Sequence, residues 1–183
     1  MRAFVITLAT LAVLYSVPAL AGPADDIRRG IGWTTQGDMD RAITLYSRVI
    51  DSPQTSPLHR AWALYTRGIA WFKKGRYDEA VADCTESLEI IPRCSGPHLV
   101  RGNAWKAMFR LEQALKDYTL AIRTAVQNKE RAMAHHNRSL VWETQGRLRE
   151  AVEDAQKALE LMPDDSRLKL RLARLEARVE AKQ

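Results

Sequence analysis

Large and small apolar residues recur along this chain in one fixed order. Ala42, Ala80, Ala114 and Ala151 each follow a tryptophan by nine residues, namely Trp33, Trp71, Trp105 and Trp142. Twelve residues before each alanine stands Gly30, Gly68, Gly102 or Ser139, and thirteen before it an arginine, Arg29, Arg67, Arg101 or Arg138. The units step by 38, 34 and 37 residues along those alanines. Gly37, Gly75 and Gly146 each lie between two helical patterns, which suits a left-handed residue ending the first helix of a pair. Gly68 and Ala80 are small, as two closely crossing helices require. Ser56 with Pro57, and Ser95 with Pro97, read as N-terminal caps of the second and third units. Past the last unit, Leu168, Leu172, Leu175 and Val179 are spaced four, three and four residues apart and give a closing helix one apolar stripe under a basic face. That helix is expected to cap the open end of unit four; the competing reading is contact with an anionic membrane surface.

In the second unit Leu64, Gly68, Trp71, Ala80, Cys84 and Pro92 occupy the spaced positions of the tetratricopeptide repeat, whose period is about 34 residues. The chain resembles that family over residues 23–165. The resemblance implies an all-α fold: a right-handed α-solenoid of four helix-turn-helix units, about 23–56, 61–94, 95–128 and 132–165, with a C-terminal capping helix over 166–183. It also implies a concave groove lined by the first helix of each unit. The inward faces mapped in this way hold Ile27 and Ile31; Trp62, Tyr65, Ile69 and Phe72; Leu99, Asn103 and Lys106; and His136, Asn137, Leu140 and Glu143. Such a surface suits an extended segment or helix with apolar anchors, its backbone held by Asn103 and Asn137. One subclass of the family grips a terminal carboxylate with Lys and Asn on successive units. The matching positions here hold Ile27, Ile31 and Thr66, or Tyr65, Ile69 and Val100, so no clamp is expected there.

Two features go beyond the family pattern. Recurrence at one repeat position assigns the four tryptophans to the core and leaves Trp62 as the one candidate for the groove. Three of the four arginines are followed sixteen residues later by an aspartate, giving Arg67 with Asp83, Arg101 with Asp117 and Arg138 with Asp154. In an antiparallel hairpin both would face the interface, and pairing inside each unit leaves only Arg29 alone, because Leu45 stands opposite it. A motif repeated down a stack is scaffold, so these carboxylates are not read as catalytic.

Composition adds limits. The chain has 183 residues, is 46% hydrophobic and 27% charged, and carries a formal charge of +6, four units of which lie in residues 166–183. The repeat region is nearly neutral, and no nucleic-acid partner is expected. Met1-Arg2, the apolar run Ala3 to Val17 and the small-x-small site Ala19-Leu20-Ala21 read as a signal peptide over 1–21, with the mature chain starting at Gly22. The expected location is therefore periplasmic or secreted. Cys84 falls mid-helix and Cys94 beyond its end, too far apart along the rise for a disulfide. His135 and His136 are adjacent rather than four apart, and no metal, phosphate or nucleophile motif is present. No enzyme activity and no cofactor are expected. The expected partner is a protein or peptide; the alternative is an envelope assembly component that self-associates or touches membrane through its basic tail.

Overall fold

The computed structural model describes residues 22–181. The signal peptide expected over 1–21 lies outside the described residues. The described chain is all helix: α1 (Pro23–Gln36), α2 (Met39–Asp51), α3 (Pro57–Lys73), α4 (Tyr77–Ile90), α5 (Ser95–Ala107), α6 (Leu111–Thr124), α7 (Asn128–Thr144), α8 (Leu148–Leu161) and α9 (Ser166–Glu180). Each helix packs on the next, and the odd-numbered helices α1, α3, α5 and α7 also touch their successors. Four antiparallel hairpins therefore stack into an α-solenoid, with the odd-numbered helices sharing one face and α9 lying on α8.

Three hairpin turns pass through Gly37, Gly75 and Gly146 at φ 90°, 76° and 74°. The third turn uses Phe109 at φ 58°, although its ring is 79% exposed. A side chain in that left-handed region meets its own carbonyl oxygen, so the position carries strain that the other units avoid. Ser56 caps α3 by accepting the His59 amide at 3.3 Å. Ser95 does not cap α5: that place belongs to Cys94, and the Ser95 hydroxyl instead donates to Glu130 of α7 at 2.6 Å.

The core is lean in bulk because the helices approach closely. A Cβ at Gly68 would sit 2.9 Å from the Cys84 sulfur, and one at Gly102 would sit 2.8 Å from the Tyr118 ring. Gly30 faces Tyr46 in the same way. Buried alanines fill much of the rest. The tryptophans assigned to the core are half-buried at its edge rather than enclosed. Trp33, Trp105 and Trp142 each pack one side on a core cluster. Arg41, Arg76, Arg110 and Arg147 lie over the rings of Trp33, Trp71, Trp105 and Trp142 with centroid distances of 4.6, 5.3, 5.1 and 4.2 Å. Each stack contributes roughly 0.5–1 kcal/mol at such partly wet sites.

The arginines and aspartates pair inside their own hairpins. Arg101 donates from Nε and Nη2 to the two oxygens of Asp117 at 2.8 and 2.7 Å, and Arg67 and Arg138 hold Asp83 and Asp154 alike. The third arm crosses to the preceding hairpin: Nη1 donates to Ser47 from Arg67, to Thr85 from Arg101 and to Thr119 from Arg138, at 2.8, 3.0 and 2.9 Å. His98 and His135 donate from Nδ1 to Asp117 and Asp154 at 3.2 and 2.8 Å. The first hairpin moves the carboxylate to the other helix. Asp26 of α1 holds the place of those histidines, with Arg48 at 3.3 Å and Arg29 at 3.8 Å, so Arg29 is not alone as the pairing rule implied. Cys84 and Cys94 are both free.

α9 begins at Asp165, which accepts the Arg167 amide at 2.9 Å. Leu172, Leu175 and Val179 close over Leu148, Ala151 and Ala155 of α8, and Leu168 is buried as well. The apolar stripe is thus spent on capping the solenoid.

Three outcomes follow from these contacts. Phe109→Gly exchanges strain of about 1–2 kcal/mol for glycine's extra unfolded-state freedom of about 0.5–1 kcal/mol. A net gain of roughly 0.5–1 kcal/mol is expected, read as a Tm higher by about 2 °C in a calorimetric scan. Burial pushes the Asp117 and Asp154 carboxyls up, but the hydrogen bonds from Arg101 and His98, and from Arg138 and His135, outweigh it and hold both below the usual aspartate value. A depressed folded pKa stabilises above the unfolded value of about 3.9 and is lost as pH falls through the folded one. Urea midpoints are therefore expected to hold from pH 7 to about 5 and to fall below about pH 4. Asp117→Asn is expected to cost about 3 kcal/mol at pH 7, because Arg101 is left buried without its carboxylate, and to flatten the acid slope.

Candidate functional site

The candidate groove residues occupy the shared face of the odd-numbered helices, but they are not equivalent. On α3, Trp62, Tyr65, Ile69 and Phe72 fall at helical spacing along one stripe. Trp62 is 46% exposed and meets Tyr65 edge-on with centroids 5.8 Å apart. Tyr65 presses against Gly96 of α5, where a Cβ would lie 2.7 Å from its ring. Burial pushes the Tyr65 phenol up to about 12. Phe72 leans on Tyr77 across the hairpin turn, centroids 5.6 Å apart. Ile69 is half-buried beside them. Ile31 of α1 is 45% exposed, whereas Ile27 belongs to the core with Val49, Ile50, Ala63 and Leu64.

On α5 the expectation for Leu99 gives way. Leu99 is 7% exposed and packs among Ala114, Tyr118, Ala134 and Val141, so it offers no surface to a ligand. Asn103 accepts from the Tyr118 hydroxyl at 2.7 Å and from Asn137 Nδ2 at 3.0 Å. The two asparagines therefore tie α5 to α7, and one face of each amide is already used. Lys106 is half-buried and has no carboxylate partner among the described residues. Burial, and then the charge of Arg171, hold its ammonium below the usual lysine value. On α7, Leu140 is half-buried, and His136 Nδ1 is buried without a hydrogen-bond partner. Burial comes first, followed by Arg171, Lys106 and Arg167, in holding His136 below the usual histidine value, with Asp165 opposing.

The closing helix adds residues to this wall that a groove drawn from the repeats alone omits. Arg171 of α9 donates to Ser139 at 3.1 Å and to Glu143 at 3.0 Å on α7, and Arg178 also pairs with Glu143. Arg167 and Leu168 join Lys129, Met133, His136 and Met162 around a pocket of about 300 Å³ at the α7/α9 junction. The groove thus has an aromatic end on α3 and a cationic end at α7 and α9.

The tetratricopeptide repeat pattern matches residues 61–94 and 132–165. No curated protein matches the chain. Among solved structures, the MamA fragment from residue 41 to the end, from Desulfovibrio magneticus RS-1, superposes with a TM-score of 0.71 at 19% identity over 87% of this chain and 88% of that one. The first TPR domain of human RPAP3 gives 0.62 at 26% identity over 69% and 97%. The first TPR of Spaghetti (RPAP3), bound to the HSP90 peptide SRMEEVD, gives 0.60 at 25% identity over 66% and 93%. The chain therefore carries tetratricopeptide repeats, at residues 61–94 and 132–165, within an α-solenoid of that kind.

Proposed function

We propose that this chain is an exported adaptor that holds an extended protein or peptide segment in its concave face. The observation that carries the reading is Trp62, an indole left 46% exposed on the inner helix α3 and braced edge-on by Tyr65, while the repeat tryptophans are each covered by an arginine. A large, braced and exposed aromatic on a concave surface is the usual form of a binding anchor. The peptide seated on the Spaghetti (RPAP3) repeats, a similar domain, supports a ligand of this class. Export rests on the charged, apolar and small-residue order of residues 1–21.

Peptides selected from a random dodecamer library on the full chain are expected to bind Trp62→Ala at least tenfold more weakly, with Tm unchanged because the ring is half in solvent. Equal affinity of the same peptides for both proteins would sink the groove reading. Expressed with its leader in a bacterial host, the chain is expected to yield a mature form whose N-terminal sequence starts at Gly22; an intact Met1 terminus in the recovered protein counts against export.

A further inference from the structure

The pocket of about 300 Å³ at the α7/α9 junction gathers two thioethers and an imidazole. Four methionines lie within the described residues, Met39, Met108, Met133 and Met162, and two of them, Met133 and Met162, line this one cavity. Met133 and His136 stand three residues apart on α7, which sets them on one face of that helix. Met162 comes in from the end of α8. The histidine differs from its three counterparts. His59, His98 and His135 each have Nδ1 bonded, to Ser56, Asp117 and Asp154 at 2.8, 3.2 and 2.8 Å. His136 Nδ1 is buried and has no hydrogen-bond partner among the described residues.

A methionine that only fills a gap in a core is enclosed by it. Met133 is 47% exposed, so its side chain is not committed in that way. The carboxylates nearby are taken: Asp165 holds Arg167 at 2.8 Å, and Glu143 holds Arg171 at 3.0 Å. The free donors of the pocket are therefore sulfur and nitrogen without negative charge. Among the described residues no group of three His, Cys, Asp or Glu side chains gathers, so a hard or borderline divalent ion has no cage of its own. Lys129 and Arg167 line the cavity as well, and a divalent ion would meet twice the repulsion that a monovalent one does. Thioethers select Cu(I), which they bind by covalent overlap more than by charge. Neither cysteine competes within the pocket: Cys84 and Cys94 are not among its lining residues, and burial pushes the Cys84 thiol up. We propose that Met133, His136 and Met162 form a site for a soft monovalent cation, Cu(I), with two sulfurs and one imidazole nitrogen as its ligands.

The site stands independently of the groove reading. The full chain, carrying Cys94→Ser so that the half-buried thiol does not compete, is isotope-labelled at its methionine methyl groups for NMR. Silver nitrate is then added stepwise in chloride-free buffer, silver(I) serving as a redox-inert substitute for Cu(I). The signals lost in Met133→Leu and in Met162→Leu identify the two methyl groups of the pocket. Those two are expected to move together and before any other methionine signal, and to move likewise with Cu(I) kept reduced by ascorbate. Zn(II) is expected to move neither. His136→Gln is expected to weaken silver binding at least tenfold while its metal-free methyl signals and Tm stay as in the parent chain. Silver that moves neither pocket signal, or moves all methionine signals alike, overturns the proposal. So does a chain that ignores Cu(I), one that responds equally to zinc, or equal silver affinity with and without the histidine.

Discussion

A guanidinium held by a carboxylate in its own hairpin and a hydroxyl in the one before is the contact on which the solenoid depends. Arg101 joins α5 to Asp117 of α6 and, by its third arm, to Thr85 of α4. A buried arginine tolerates few arrangements, because every donor left dry and unpaired costs more than the pair itself returns. The rung therefore specifies how far apart the helices stand and how one unit sits on the next. The apolar core alone is less demanding, being rich in alanine around glycines that let backbones approach. Where His98 and His135 add a further donor to the same aspartates, the rung is tightened without adding bulk.

The first unit shows that the constraint is charge satisfaction rather than a particular residue order. Leu45 removes the carboxylate from α2, and Asp26 supplies one from α1 to Arg48 and Arg29. One oxygen of Asp26 stays without a hydrogen bond, and both arginines are largely in solvent. Among the described residues no hairpin precedes this unit to share a rung with, and its pair is looser. At the other end α9 replaces a fifth hairpin, covering α8 with leucines and tying α7 through Arg171 and Arg178 to Glu143.

That rule makes its exceptions informative. Three repeat arginines find aspartates and four further arginines find indole faces, while Lys106 finds no carboxylate and His136 Nδ1 no hydrogen-bond partner among the described residues, and Trp62 stays exposed. Asn103 and Asn137 lie between the two kinds, since their mutual bond stiffens the wall and leaves amide groups facing the groove.

Fixed spacing made the repeat, the turn glycines and the Arg–Asp rungs legible in the residues themselves, because each is a local demand: a left-handed turn needs glycine, a close crossing needs a small side chain, and partners sixteen apart must meet across a short hairpin. The third turn departs from that pattern at Phe109, which keeps the left-handed conformation without a glycine, and Ser95, expected as a cap, bonds across to Glu130 instead. The same spacing placed Leu99 in the groove, where it is buried, and the repeat tryptophans in the core, where they lie only at its edge. Those outcomes depend on how deeply one hairpin sinks into the next, which no single unit encodes. The α7/α9 pocket is the clearest case: Met133 and His136 of α7 and Leu168 of α9 lie on different helices, and only the packing of α9 against the last hairpin brings them around one cavity, since burial acts through space rather than along the chain.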